Sequence, residues 1–569
     1  MKNKSLLLCA LFALLPLLNG VAQIKLGDET YLTGSFQMDN LVENDKDGSG
    51  LDFMNNTYLN LNLTSKNVFA GLRLDLTEWP LPGYENDFKG WGLGNIFVTW
   101  KYKNLELTGG SIYDQFGSGF ILRTYEERNL GIDNSLMGGR IKYSPYKGVD
   151  LKVLGGTQKA YYDYNSGFVF GADAEFSLDQ WIKSFQDNNI YWSVGASWVT
   201  KHESDEDVFY TVSEEINPGE TVTSKYRLNL PENVGAFDIR TRFQKDNVSV
   251  LLEHAIKAND PGFENSYIYH KGQATMLSLT YSKRGITGML QAKRSDNMAF
   301  RSKRSMQGTS SFINHLPAFS QQHTYALAAL YPYATQPDGE WAFQGEFSYN
   351  FKKGTALGGK YGTTVRLNAS HIRDIDREYK EGTGHKGRDE YKSSFFKWGD
   401  ETFYQDINID IDKKITKDFK LNLMYMNQRY NPVVQGHDEG MITSNIFIAE
   451  GKYNINKKLT LRAEAQYLHA SDYDGDESVP VKDRSNQGDW LFGLLELSIA
   501  PGWMFSVQDN YNVGDTDEHY YMLSGVWNYK THRVQVGYGR TRAGYDCSGG
   551  VCRMVPQTHG VRLNYSFTF

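Results

Sequence analysis

The densest run of groups able to do chemistry lies between residues 113 and 140. Asp114, Arg123, Glu126, Glu127, Arg128, Asp133 and Arg140 share a glycine-rich stretch too long for a tight turn. Opposed guanidinium and carboxylate groups facing a bore set the selectivity of pores. The stretch therefore reads as a loop folded into a lumen and narrowing it, its glycines allowing close backbone approach or positive φ. The alternative is a solvated surface loop whose charges pair locally and contribute little each.

Two acidic loops raise the question of calcium. One holds Glu43, Asp45, Asp47 and Gly48; the other holds Asp472, Asp474, Asp476 and Glu477 around Gly475. Hard cations take several carboxylate oxygens from a tight loop. Met54 stands where an EF-hand has its bidentate glutamate, and acidic turns are common outside metal sites, so no metal and no cofactor is expected. Cysteine chemistry is equally spare. Cys9 lies in an apolar leader, which leaves Cys547 and Cys552. An even count in an exported chain favours a disulfide, and Ser548-Gly549-Gly550-Val551 can close it. Without a C-x-x-C spacing, the pair reads as a local clip.

Catalytic patterns are missing. There is no G-x-S-x-G elbow and no H-E-x-x-H helix; His202-Glu203 lacks the second histidine. The 12 histidines, among them His254, His371, His469 and His519, are scattered. A hydrolase on a strand rim would need one of them within reach of a serine or aspartate. No enzyme is expected.

The elements that position these groups are strands. Residues 1–22 have the layout of a secretory signal peptide: Lys2 and Lys4, an apolar run from Leu6 to Leu18, and Gly20-Val21-Ala22 before Gln23. That run is shorter than the ~18 residues a spanning helix needs. Beyond Gln23, segments of about ten to thirteen residues alternate apolar and polar side chains, as strands with one face in lipid do. Trp341, Phe343, Gly345, Phe347, Tyr349 and Phe351 take one face while Ala342, Gln344, Glu346, Ser348 and Asn350 take the other. Leu459 to Tyr467 and Val68 to Leu76 alternate likewise, sending Arg73, Arg462 and Glu464 toward a wet lumen.

Connections alternate in length. Tight turns at 65–67, 103–104, 146–148, 245–247, 283–285, 456–458 and 530–532 separate longer polar loops near 40–54, 80–93, 113–137, 201–232, 295–322, 373–400, 431–442, 471–487 and 544–557. Short periplasmic turns and long extracellular loops mark outer-membrane barrels. The pattern predicts one all-β domain over residues 23–569, a transmembrane antiparallel barrel of about 24–26 strands, a number that must be even. Alternation fails near 323–400, where one strand is missed or invented. The last strand is the sharpest feature: Val561, Leu563, Tyr565, Phe567 and Phe569 alternate with polar residues to the end. Tyr565, Phe567 and Phe569 look like the terminal signal read by the barrel assembly machinery.

Composition agrees. Aromatic residues make up 14% of the chain, enough for girdles at both membrane interfaces, and the mean hydropathy of −0.52 is what alternate lipid-facing positions give. A net charge of −7 offers no footprint for nucleic acid. No plug domain precedes the first strand, so energised import is not expected.

The runs Tyr113-Asp114-Gln115-Phe116-Gly117-Ser118-Gly119-Phe120, Leu122-Arg123-Thr124-Tyr125-Glu126, Gly131-Ile132-Asp133-Asn134-Ser135-Leu136 and Gly138-Gly139-Arg140 resemble a family of uncharacterised outer-membrane barrels from Bacteroidota. The resemblance implies a fold and an outer-membrane location but no activity. By analogy, some such barrels serve as accessory subunits of machines that assemble barrels or display surface lipoproteins. Two expectations follow. One is a porin-like channel with an inward-folded charged loop, partnered by outer-membrane lipids. The other is a non-enzymatic accessory barrel docking surface lipoproteins or another barrel, with a plugged lumen and an aromatic patch on a long loop, such as Phe312, Leu316, Pro317 and Phe319 or Phe395, Phe396 and Trp398. A lumen this wide requires inward-folded loops in either case.

Overall fold

The computed structural model describes residues 23–44, 51–204, 206–217, 220–380, 391–436, 440–471 and 487–569. One antiparallel sheet closes on itself as a 24-strand barrel in which successive strands are hydrogen-bonded neighbours. The first strand, Thr30–Asn44, pairs with the last, Thr558–Thr568, with Phe36 opposite Phe567 and Met38 opposite Tyr565. The short strand Ile24–Gly27 only extends the start of Thr30–Asn44. Closure leaves no spanning edge unpaired, the condition for strands to cross a lipid core. Among the described residues, no helix is long and apolar enough to do so.

The period-two pattern sets which face each residue takes. In Leu459–Ser471, Ala463, Ala465 and Tyr467 are exposed on the outer face, whereas Glu464, Gln466, Leu468 and Ala470 are buried inside. Aromatic residues gather at both strand ends. Near the short turns Trp100 stacks on Tyr102 at 5.8 Å and Trp503 on Phe505 at 5.9 Å. Near the long loops Trp341 stacks on Phe343 at 5.4 Å. Exposed aliphatic residues such as Ile239, Leu290 and Leu495 fill the band between. Amphipathic rings bracketing an aliphatic belt are the profile of a lipid-facing wall.

The tight turns stand where the sequence predicts them, with Lys103, Asp246 and Lys530 held at φ of 53°, 50° and 53°. Three connections break the predicted pattern, one of them the eleven-residue link 352–362 at the short-turn end. Tyr161-Tyr162 makes a tight turn at the long-loop end, between Val149–Ala160 and Asp163–Ser177. At the short-turn end, 178–189 carries the helical turns Leu178–Gln180 and Lys183–Asp187. The larger correction concerns 295–322. The connection runs from 297 to 338 without a barrel strand, which resolves the odd count. Its apolar residues 325–333 resemble a strand in sequence because they are buried, but they face the lumen rather than lipid.

Candidate functional site

After Ile286–Asp296 the chain turns inward. Asn297 takes a left-handed φ of 47°, a conformation asparagine tolerates better than most residues. The two ends of the connection are zipped together: Asn297 N donates to Asp338 O at 3.0 Å and Met298 N to Pro337 O at 3.0 Å. Between them the segment crosses the lumen. Met298, Phe300, Ile313 and Leu327 are fully buried. They meet Phe116, Phe120, Ile121 and Leu122 from the 113–135 segment and wall residues such as Ala342, Met426, Ile446 and Leu468 in one apolar cluster. Together the two segments form a plug.

Backbone inside a barrel must find partners within the protein. Arg123 N donates to Ile313 O at 2.8 Å and His315 N to Gly119 O at 3.0 Å, joining the two segments. Asn314 Nδ2 donates to Phe120 O and Met298 O at 3.0 and 2.7 Å. Gln158 on the wall donates to Phe312 O at 2.7 Å. Gly117, at φ 51°, brings the chain so close to the wall that a Cβ would stand 2.5 Å from Glu253 Oε1. There Ser118 N and Oγ donate to the Glu253 carboxylate at 2.8 and 2.6 Å.

Most of the charges at the long-loop half of the lumen are paired off; Lys257 instead donates to Ala299 O. Arg73 holds Asp75 at 2.8 Å and Asp133 at 3.2 Å, and also bonds Glu126. Lys159 reaches Asp133 at 2.7 Å. Arg140 joins Asp114 at 3.0 Å to Glu106 at 2.9 Å, and Lys152 adds a contact to Asp114 at 3.1 Å. Lys201 pairs with Asp260 at 2.8 Å, Arg304 with Glu203 at 3.1 Å, and Lys293 with Glu340 at 2.8 Å. Burial pushes the carboxyls of Asp114 and Asp133 up, but neighbouring cations hold both below the usual aspartate value: Lys152, Lys142 and Arg140 for Asp114, Lys159 and Arg73 for Asp133. The short-turn half differs. There Arg366 and Lys420 leave 52% of their side chains exposed, so the lumen is a wet vestibule on that side.

The seven charged residues singled out in the sequence therefore lie in or beside the plug. Asp114, Glu126, Asp133 and Arg140 join wall-to-plug ion pairs. Arg123 instead packs over the Tyr125 ring, Arg128 over Tyr58, and Glu127 accepts from Ser548 at 3.5 Å. Leu316 and Phe319 are buried in the plug core, which corrects the expectation of a surface patch at Phe312, Leu316, Pro317 and Phe319. The second patch is exposed: Phe396 shows 87% of its surface and Trp398 stands beside Phe343 at 6.1 Å. Tyr565, Phe567 and Phe569 lie at the closing seam, Phe567 buried between His532 and Phe569, and Phe569 and Gly34 exchange two backbone hydrogen bonds there. Asp45, Asp47, Asp472, Asp474 and Asp476 fall outside the described residues. Sequence reasoning missed the partners of the charged loop, Arg73, Lys159 and Glu253, and the Lys293–Glu340 pair that holds the longer segment, because an alternating strand shows only that a residue faces inward.

Cys547 and Cys552 form the disulfide, pairing across the hairpin Gly544–Ser548 and Val551–Val555. The hairpin sits on the plug: Thr335 N donates to Gly550 O at 2.9 Å and Gln322 Nε2 to Cys547 O at 3.2 Å. Closing so short a loop removes about 2 kcal/mol of chain entropy from the open hairpin. Replacing both cysteines by serine is expected to weaken the hairpin by about that amount, seen as faster backbone hydrogen exchange at 544–555 with the barrel strands unchanged.

Acid should loosen the plug. Burial, aided by Arg123 and Lys293, pushes His315 down to about 3. A released His315 takes a proton below its ordinary value of about 6.5, whereas the packed ring does not, so plug stability is full above that pH and is lost as pH falls below it. Asp338 opposes this: burial and Glu264 raise it to about 6, so packing gains as pH falls through that value. His315 is displaced further from its ordinary value than Asp338, and Asp114 and Asp133 add to the loss below about 4. The expected result is more frequent bilayer openings at pH 4.5 than at pH 7, and a smaller difference in His315→Gln.

Solved barrels of low identity align with the chain. Acinetobacter baumannii OccAB3 is 9% identical, aligned over 95% of this chain and 99% of its own, with a TM-score of 0.35. The siderophore receptor PirA of Pseudomonas aeruginosa is 8% identical over 96% and 81%, with a TM-score of 0.41. The translocation pore of the P pilus usher PapC is 8% identical over 94% and 99%, with a TM-score of 0.41. None of the curated proteins matches. The match to a family is complete in length: the chain belongs to DUF6029, a family of unknown function, whose model covers residues 1–569.

Proposed function

We propose that this outer-membrane barrel is sealed at rest and serves as a non-enzymatic accessory or scaffold subunit of an outer-membrane assembly. The observation that carries this reading is the apolar plug. Residues from 113–135 and 297–338 share one buried core with the long-loop half of the wall, and most of the charges there are spent on one another. An open bore needs solvated charges along its length. A porin-like channel remains the second reading, favoured by the wet vestibule with Arg366 and Lys420, and it requires the plug to move.

The partner surface in this reading is the aromatic patch around Phe396, contiguous with the outer girdle at Trp341 and Phe343. The partner is a surface lipoprotein or a second barrel. Tyr565, Phe567 and Phe569 act earlier, as the segment offered to the assembly machinery. The test is recovery of the tagged chain from native outer membranes in mild detergent, followed by mass spectrometry. Stoichiometric recovery of a lipoprotein or another barrel, reduced in Phe396→Ser, supports the scaffold. Recovery of the chain alone favours the channel.

A further inference from the structure

A cavity of about 490 Å³ lies on the long-loop side, between the plug and the disulfide hairpin. This is within the range of small-molecule sites. Five separate stretches of chain build it, and the Cys547–Cys552 bond fixes its roof. Met298, Leu316 and Val434 give it an apolar side, flanked by Tyr125 and Phe312.

Two of its polar groups are unspent. Thr335 Oγ1 and Gln435 Nε2 are buried without a hydrogen-bond partner among the described residues. His315, 5.7 Å from the Tyr125 ring, also lines the space. Its low pKa keeps it neutral, offering one N–H and one lone pair. The one carboxylate in the lining, Glu264, is neutralised by Arg301 at 2.8 Å. Hydroxyl, amide and imidazole groups thus converge without net charge beside aliphatic and aromatic surface. The lining residues themselves offer a charged ligand no free counter-ion, and a purely apolar one would leave the polar groups orphaned.

We propose that this cavity binds a neutral saccharide of one or two sugar units from the external medium. Sugar hydroxyls would satisfy Thr335, Gln435 and His315, and the C–H face would lie against the Tyr125–Phe312 side. The site depends on the plug being in place and is independent of whether the barrel docks a partner.

The test uses the full chain in nanodiscs and saturation-transfer NMR. The probes are neutral disaccharides (maltose, lactose and cellobiose), with glucuronate and an N-acetylated dipeptide amide as competitors of other chemistry. The expected result is transfer to at least one neutral disaccharide. It should weaken about tenfold in Gln435→Leu and Thr335→Val, each of which removes one partner, and vanish in Ala334→Phe, which fills the space. Heat-modifiable gel mobility verifies that each variant is folded; should Ala334→Phe misfold, the two polar variants decide. Transfer to no neutral sugar, equal transfer in the folded variants, or transfer only to glucuronate or the dipeptide would overturn the proposal.

Discussion

Excising residues 298–337 is expected to turn a barrel that passes no ions into one that stays open. The cut is geometrically simple. Asp296 pairs with Gly339 across adjacent strands, so Asn297 and Asp338 become the two residues of a hairpin turn. Wall pairing is untouched, and the variant should still fold and migrate as a heat-modifiable barrel. What disappears is the larger part of the plug. A circular 24-strand wall with ordinary strand spacing and tilt measures roughly 45 Å across the backbone. The remaining 113–135 segment, deprived of its bonds to Ile313, Asn314 and His315, cannot fill that width. Planar-bilayer recordings should show a large, continuous, ohmic conductance. A folded variant that stays silent would mean that the shorter segment seals the lumen alone.

The second large effect is expected from Glu340→Ala. Glu340 and Lys293 are fully buried on the two strands that the plug connects. Glu340 also accepts from Tyr333 and from Gln336 N, while Lys293 donates to Pro317 O. The pair therefore ties the middle of the segment, at Pro317, and its far end, at Tyr333 and Gln336, to the wall. Removing one partner leaves an ammonium buried alone, at a cost of about 3–5 kcal/mol. Replacing both, as Lys293→Met with Glu340→Leu, should cost far less, since apolar groups of similar volume leave no orphan charge. The readout is maleimide labelling of a cysteine placed at Ala328. It should be slow in the intact protein and in the double variant, and fast in the single one.

Strand after strand of this architecture was legible from side-chain alternation. Trp341–Phe351 and Leu459–Tyr467 face as their period requires, because lipid tolerates one kind of side chain and a wet lumen the other. Legibility failed where the lumen is dry. In Ile442–Asn454, Ile446, Phe447 and Ile448 are consecutive apolar residues: Phe447 meets lipid, and its neighbours meet the plug. Such a break in alternation is the sign of a filled lumen, and it was available in the sequence. Alternation fails near 323–400 for the same reason: the run from Tyr325 to Tyr333 is apolar because it packs inside the barrel. The charged loop 113–140 was readable as inward-folded, but its partners were not. Lys159 meets Asp133 across one strand hairpin, but Ser118 meets Glu253 across 135 positions, a separation that only the closed barrel bridges.

The central claim is that the lumen is sealed by the chain's own inward-folded segments. The most direct test is single-channel recording of the intact protein in planar bilayers at pH 7. A silent baseline is predicted, with heat-modifiable mobility showing that the protein is folded. Steady conductance steps from the intact chain would contradict it: the bore would then be open in spite of the plug.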